Sequence, residues 1–233
     1  MAWRRLTPQA ESVRTPRTSH TILCLVAVLL LSACVVPATG QAPTSVQRQL
    51  DELTVAVSVS MSGYSRDRFP HWRPDGGGSC NVRDTVLRRD GSDIRVSRGC
   101  NVVDGQWYSP YDDTVLHDPD KVDIDHMVPL ANAWRSGASS WDDQKRGDFA
   151  NDLARPELLA VSASSNRAKG DQDPAQWRPP NRSYWCEYAV RWIAVKHGWR
   201  LTVTTAEKAA LSEMLRTCQT SSAPPTSPLA LAG

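Results

Sequence analysis

Apolar and polar side chains alternate in one short stretch of the chain, residues 122–126. This period of two predicts a β-strand that presents the carboxylates of Asp123 and Asp125 on the same face. His126 stands at the end of the strand, and Pro129 soon stops regular pairing. An Asp-His dipeptide alone is weak evidence for a functional site, because a solvated acidic strand with an unrelated histidine gives the same pattern.

The rest of the pattern predicts a mixture of helices and short strands. Apolar residues at helical spacing predict helices over residues 47–57, 80–89, 129–135, 141–150, 183–197 and 205–216, and the start of another within 164–171. Apolar runs predict strands over residues 94–97, 101–103, 158–161 and 201–204, whereas residues 111–120 are predicted to form an acidic loop. The stripe of Trp185, Tyr188, Trp192 and Val195 could be a base-stacking platform, but it is predicted to lie in the core, because apolar residues at helical spacing usually pack inward.

The first 33 residues predict an export signal. Four arginines precede an apolar run over residues 22–31, which is too short to cross a bilayer. Leu-Ser-Ala-Cys at residues 31–34 fits the bacterial lipobox, in which Cys34 becomes the lipidated first residue of the mature chain. The alternative is cleavage near residues 38–42 and free secretion. The expected location is therefore the outer face of the cell membrane or the medium outside the cell.

Charge and composition divide the rest of the chain. The leader takes away four of the 27 basic and one of the 25 acidic side chains, which leaves a net charge of −1. No overall positive field therefore draws the mature chain to nucleic acid or to a membrane, and any basic footprint must be local.

Residues 34–49 are predicted to form a flexible tether, residues 50–220 one domain with its own core, and residues 221–233 a disordered tail.

Cysteine usage agrees with export. Beyond the leader and Cys34 the chain has four cysteines: Cys80, Cys100, Cys186 and Cys218. Among the three possible connectivities, chain order and loop size favour Cys80–Cys100 and Cys186–Cys218. The alternative, a four-cysteine zinc site, needs close pairs such as Cys-x-x-Cys, and the sequence has no such pair.

Two motifs together resemble those of a known family. Asp-His-x-x-Pro-Leu stands at residues 125–130, and Asn-Arg-x-Lys-Gly-Asp stands at residues 166–171, directly after the apolar run over 158–161. The chain resembles the HNH endonuclease superfamily, and more closely the exported HNH-family proteins related to the C-terminal part of the GmrSD restriction enzymes. The resemblance covers most of residues 80–218. It implies an α+β domain built around a ββα-metal finger at about residues 120–175, with flanking helices, a short N-terminal meander and two disulfides.

The resemblance implies an endonuclease that hydrolyses phosphodiester bonds of DNA, with RNA as a further substrate. Asp125 and Asn166 would hold one divalent metal ion, with Mg²⁺ favoured and Mn²⁺ as the alternative. Neutral His126 would take the proton from the attacking water. Arg167 and Lys169 would contact phosphate, although solvated charges at a helix start give the same pattern.

The expected partner is therefore nucleic acid. Arg182 belongs to a local basic patch that could follow the phosphate backbone. His71 and His117 are predicted to be solvated surface residues. No protein partner is implied, and the only expected membrane contact is the lipid anchor.

The chain departs from the HNH pattern at Glu157. HNH enzymes usually carry an asparagine nine residues before the metal-binding asparagine, where it braces the loop that holds the catalytic histidine. Glutamate accepts hydrogen bonds but lacks the amide donor, so Asn151 could supply the brace instead, or Glu157 could reach the metal. Asp123 is a further supporting residue. The alternative function is a cell-surface binding module that keeps the scaffold but has lost cleavage.

Overall fold

The computed structural model describes residues 44–74 and 80–219. These residues form, in chain order, α1 (Thr44–Glu52), α2 (Val82–Asp90), β1 (Gly91–Val96), β2 (Val102–Ser109), β3 (Thr114–Leu116), β4 (Val122–His126), α3 (Leu130–Arg135), α4 (Asp143–Ala150), β5 (Leu158–Ser162), α5 (Ala163–Lys169), α6 (Trp185–Trp199) and α7 (Thr205–Leu215). β1, β2 and β3 form one antiparallel sheet, and β4 pairs with β5 in a second. The predicted α+β fold class is confirmed.

The ββα unit consists of β4, β5 and α5. The two strands run antiparallel with His126 opposite Leu158. α5 follows β5 directly, because the Ser162 hydroxyl accepts the backbone N–H of Ser165 and caps the first turn of the helix. Asn166 therefore lies in the first turns of α5, on the helix that packs against β4.

Alternation along β4 divides its side chains between two environments. Val122 and Ile124 pack with α2 and β2 in a cluster around Trp107. The larger core contains α6, whose Tyr188 and Trp192 are fully buried, which confirms that the aromatic stripe belongs to the core. The carboxylates of β4 face α5 instead, and this arrangement places them at the candidate site.

Both predicted disulfides are present. Cys80–Cys100 joins the segment before α2 to the connection between β1 and β2, with the Cα atoms 5.0 Å apart. Cys186–Cys218 joins the first turn of α6 to the segment after α7, with the Cα atoms 4.8 Å apart. Each closes a loop of the chain and is expected to stabilise the fold by about 3 kcal/mol.

The N-terminal sheet is larger than the sequence predicts. β2 runs to Ser109, well beyond the predicted strand over residues 101–103, and the predicted loop over residues 111–120 contains β3. Tyr108 of β2 pairs with Val115 of β3. The pairing with β2 gives these few residues their strand conformation, and such a partner leaves no local signal in so short a segment.

Two further predictions are corrected by packing. The tether predicted over residues 34–49 is wrong in its last part, because α1 begins inside it, and Leu50 of this helix is fully buried in the main core. Residues 201–204 do not form a regular strand, since Val203 pairs with Val55 through one isolated parallel bridge. Both segments take their structure from contacts with α6 and its surroundings.

The predicted export signal, Cys34 and the predicted tail over residues 221–233 lie outside the described residues. In the part of the chain that the structure describes, no helix is both long enough and apolar enough to cross a membrane.

Candidate active site

His126 is fixed in orientation from two sides. Its Nε2 lies 3.0 Å from the backbone oxygen of Ala150. Because a carbonyl oxygen only accepts, the neutral ring must carry its proton on Nε2, which leaves Nδ1 as a proton acceptor. One face of the ring stacks on Trp72, with the centroids 5.4 Å apart and 13° between the planes, and His71 contacts it edge-on at 5.9 Å.

The surroundings of His126 keep the imidazole neutral. The pKa of His126 is lowered to about 3, chiefly because burial disfavours the charged ring. The positive charge of Arg66 contributes to the lowering, while the hydrogen bond to Ala150 acts in the opposite direction. The side chain is only 4 % exposed. The unprotonated form that a general base needs is therefore the resting form at neutral pH.

Asp125 is buried and paired. The ammonium of Lys169 donates to both carboxylate oxygens at 2.8 Å, and the hydroxyl of Tyr111 donates to Oδ2 at 2.5 Å. Burial raises the pKa of Asp125, while the charge and hydrogen bonds of Lys169 and the hydrogen bond of Tyr111 lower it. The carboxylate thus shares its charge with a buried lysine, and Oδ1 accepts only one hydrogen bond among the described residues.

Lys169 does not lie where the sequence predicted it. The side chain is fully buried, and its third hydrogen bond goes to the backbone oxygen of His126 at 2.8 Å. Direct contact between Lys169 and a substrate phosphate does not fit this position, because all three ammonium donors are used inside the protein. Lys169 instead ties α5 to the end of β4.

Asn166 and Arg167 meet Asp123 at the edge of the site. The amide Nδ2 of Asn166 donates to Asp123 Oδ2 at 3.1 Å, so its amide oxygen is not used in this bond. Arg167 Nε lies 3.7 Å from the same carboxylate oxygen, and the Arg167 side chain is 74 % exposed. Such an exposed pair is weak, so Arg167 can exchange it for a phosphate.

A cleft of about 330 Å³ brings the predicted catalytic residues together. Asp125, His126 and Asn166 all line it, together with Arg66 and Arg167. The first three come from β4 and α5, as the two motifs predict. Arg66 and Arg167 stand on this wall beside the carboxylates of Asp125 and Asp171, so an anionic substrate would be held by the two arginines themselves and not by a net positive wall.

The oxygen donors in this cleft fit a hard divalent cation. The carboxylate of Asp125 and the amide oxygen of Asn166 are ligand types that Mg²⁺ and Mn²⁺ prefer. Among the described residues, no group of three or more histidine, cysteine, aspartate or glutamate side chains is placed to hold a metal ion. Asp125 and Asn166 could supply two ligands to such an ion, and water and phosphate would have to complete its shell.

Glu157 braces the loop after His126 but does not line the cleft. Its Oε2 accepts the backbone N–H of Val128 at 3.1 Å, and its backbone oxygen accepts the N–H of Met127 at 2.6 Å. The side chain is fully buried, Oε1 has no hydrogen-bond partner, and burial raises the pKa of Glu157 well above its usual range. The backbone N–H is thus satisfied without an amide, and a contact between Glu157 and a metal does not fit this position.

Asn151 supports His126 through its neighbours. Its Nδ2 donates to the backbone oxygens of Pro70 and Gly147, both at 2.7 Å, and its Oδ1 accepts the N–H of Arg73 at 2.9 Å. These bonds hold residues 70–73, which carry Trp72 against His126, on the end of α4. Asn151 also follows Ala150, whose oxygen holds His126.

The site uses several residues that sequence reasoning missed: Arg66, His71, Trp72 and Tyr111. The prediction that His71 is a solvated surface residue is wrong, because its ring is half-buried against His126. No local pattern marks these residues, since their segments are separated from His126 along the chain and reach it only in the fold. Arg182, by contrast, lies over the ring of Trp185 at 4.7 Å and is not among the cleft residues in the described chain.

Comparison with known proteins identifies the family. Residues 82–214, from the start of α2 into α7, match the family described as the C-terminal domain of GmrSD restriction endonucleases. The chain belongs to this family. The matched residues include the whole ββα unit and the cleft residues Asp125, His126, Asn166 and Arg167, whereas Arg66 of the cleft lies before the match.

A relative extends the similarity over most of the chain. A protein of Arthroderma benhamiae, named as an uncharacterized secreted protein, is 49% identical over 198 residues, which covers 84% of this chain and 97% of that protein. No solved structure matches the chain.

Proposed function

We propose that this protein is an exported HNH-type endonuclease that hydrolyses phosphodiester bonds of DNA, with RNA as a further substrate. One observation carries the proposal. The neutral ring of His126 is held at Nε2 by Ala150 and lines a cleft with Asp125, Asn166 and two arginines. Family membership supports the reaction class, because the family is one of restriction endonuclease domains.

Each cleft residue has a role in the proposed reaction. Nδ1 of His126 accepts the proton of the water that attacks phosphorus. Arg66 and Arg167 bind the phosphodiester and orient it in the cleft. Asp125 and Asn166 would hold one Mg²⁺ or Mn²⁺ ion, and such an ion supplies charge neutralisation at the phosphate and at the departing oxygen.

Export is part of the proposal. The basic and apolar leader, the two disulfides and the relative named as a secreted protein all support an oxidising compartment outside the cytosol. We propose that Cys34 is lipidated and anchors the mature chain at the outer face of the membrane, with free secretion as the other outcome. Mass spectrometry of the mature N-terminus distinguishes the two.

The metal requirement provides the first test of the reaction. The purified mature chain is incubated with supercoiled plasmid in Mg²⁺, in Mn²⁺ and in EDTA. We expect nicking and then degradation with either metal and none in EDTA. Cleavage of equal rate in EDTA would contradict the metal-dependent mechanism.

A second candidate function rests on the buried Lys169–Asp125 pair. Because Lys169 already neutralises Asp125, a divalent cation would bind more weakly at this carboxylate than at a free one. Weak metal binding is compatible with a binding module that does not cleave its ligand. This candidate predicts that oligonucleotides bind the cleft but are not cleaved with any divalent metal. Metal-dependent cleavage that His126→Ala abolishes would exclude it.

A further inference from the structure

A second cavity, which we call the side cavity, lies next to the cleft. It has a volume of about 290 Å³ and shares Asp171 with the cleft. On its wall, Asn132 and Arg135 come from α3, Asp173 from the segment after α5, Lys196 from α6 and Glu207 from α7. This volume is at the lower limit of the roughly 300–1,000 Å³ of small-molecule sites, so it suits a single small ring system.

The charged groups of the side cavity are already paired. Lys196 and Glu207 are buried and lie 2.8 Å apart, and Arg135 bonds to Asp171 at 2.7 Å. With Asp173 included, three carboxylates stand against two cations on this wall. The side cavity therefore has no excess of positive charge that would select a phosphate, and a neutral polar ligand fits it better.

Asn132 is the group that packing does not explain. Its side chain is 5 % exposed, it lines the side cavity, and its Oδ1 is buried without a hydrogen-bond partner. A buried polar atom without a partner lowers stability, and an apolar side chain of similar size would avoid this loss. An amide that lines a polar cavity in this state is suited to hydrogen bonding with a ligand.

We propose that the side cavity binds an unpaired nucleobase of the substrate strand, next to the phosphodiester held in the cleft. An asparagine amide offers a donor and an acceptor side by side, which matches the edge of a base. The base must be unpaired because a paired one would first have to leave its stack, at an energetic cost. The inference rests on the proposed function, since it assumes that a nucleic acid strand occupies the cleft.

The test measures base-dependent affinity without cleavage. The mature chain with His126→Ala, in EDTA, is titrated by fluorescence anisotropy with a single-stranded DNA oligomer and with copies that carry one abasic site at successive positions. We expect one abasic position to weaken binding about tenfold, the effect of losing one or two well-made hydrogen bonds together with ring contacts. Adding Asn132→Leu should remove this difference and leave the affinity for the abasic oligomer unchanged.

Controls separate the ligand role from a structural one. Asn132→Leu should leave the melting temperature unchanged or raise it, because it removes an unsatisfied polar atom. Asn101→Leu, on the exposed connection between β1 and β2, should leave the abasic difference intact. A lower melting temperature with an unchanged abasic difference would overturn the proposal and assign Asn132 a structural role.

The outcomes also distinguish this inference from the proposed function. Tight binding of every oligomer with no sensitive position, in the protein that keeps Asn132, would contradict the side cavity proposal and leave the cleft proposal standing. No binding of any oligomer, either in EDTA or when the titration of His126→Ala is repeated in Mg²⁺, would contradict the proposed function itself. The scan with Asn132 in place gives its answer even if Asn132→Leu does not fold.

Discussion

At the scale of single residues, His126 depends on groups from several separate segments. Ala150 fixes the tautomer, Trp72 covers one face, and Lys169 binds the backbone oxygen of His126 while pairing with the neighbouring Asp125. This arrangement keeps the imidazole of His126 neutral, and it partly compensates the negative charge of the Asp125 carboxylate. Two predictions follow from the buried charges around it.

The first prediction concerns the positive charge of Lys169. Lys169→Met leaves the buried carboxylate of Asp125 without its partner, so we expect a loss of about 3–5 kcal/mol in the free energy of unfolding. Mn²⁺ at Asp125 should restore part of this loss, because a ligand that binds only the folded state stabilises it. The measurement is thermal melting with and without Mn²⁺.

Lys196→Met is the matched control for that experiment. Lys196 is also fully buried, also pairs with a carboxylate at 2.8 Å, and lies away from the cleft at Glu207. It should be destabilised to a similar extent but gain no stability from Mn²⁺. Equal rescue of both variants, or of neither, would contradict a metal site at Asp125.

The second prediction concerns Glu157. Burial and the charges of Asp125 and Asp152 raise its folded pKa, while the Val128 hydrogen bond and Lys169 oppose the rise. The folded state therefore holds this proton more tightly than the unfolded chain, and stability is lost as pH rises from the unfolded pKa through the folded one. Glu157→Gln keeps the shape and the acceptor for Val128 but does not titrate.

Glu157→Gln should therefore gain stability over the unmodified protein as pH rises. Denaturant unfolding at pH 5 and pH 8 measures the difference, and we expect the larger gain at pH 8. A difference that is the same at both pH values would show that Glu157 is not held protonated in the fold.

At the scale of elements, the end of α4 connects an early segment to the site. Asn151 binds residues 70–73 through two hydrogen bonds and Gly147 of α4 through a third, and the same turn presents the oxygen of Ala150 to His126. The ββα unit alone supplies His126, Asp125 and Asn166. Its support comes from α4 and from a segment that lies before α2 in the chain.

Asn151→Ala tests this connection. It removes the partner of the part-buried N–H of Arg73, of the exposed oxygen of Pro70 and of the part-buried oxygen of Gly147, so we expect a loss of about 1–3 kcal/mol and a slower cleavage rate. Differential scanning calorimetry and plasmid cleavage measure the two effects. A variant with normal stability and a normal rate would contradict a bracing role for Asn151.

The same elements show what the sequence could predict. β4, β5 and the start of α5 were predictable because their period, apolar content and helix cap are local properties, and two motifs placed Asp125, His126 and Asn166 on them. Trp72, Tyr111 and Arg66 were not predictable, since nothing in their own segments reports which surface they meet. The burial of Lys169 was missed for the same reason, because a lysine at the end of a short helix is usually solvated.

At the scale of the whole molecule, two disulfides tie the regions on either side of the ββα unit. Cys186–Cys218 holds α6 to the segment after α7, and both helices belong to or pack on the main core. Replacing both of these cysteines by serine should lower the free energy of unfolding by about 3 kcal/mol. Chemical unfolding with and without a reductant gives the matching test on the unmodified protein, and identical transitions would contradict a stabilising disulfide.

Single-turnover cleavage of DNA by His126→Ala in Mg²⁺, compared with His197→Ala, tests directly whether His126 activates the attacking water. His197 bonds to Glu52 on α1 and is not among the cleft residues in the described chain. We predict that His126→Ala lowers the cleavage rate by about 10²–10⁴-fold with normal circular dichroism, whereas His197→Ala keeps the normal rate. Cleavage by folded His126→Ala at the unmodified rate would show that His126 is not the general base.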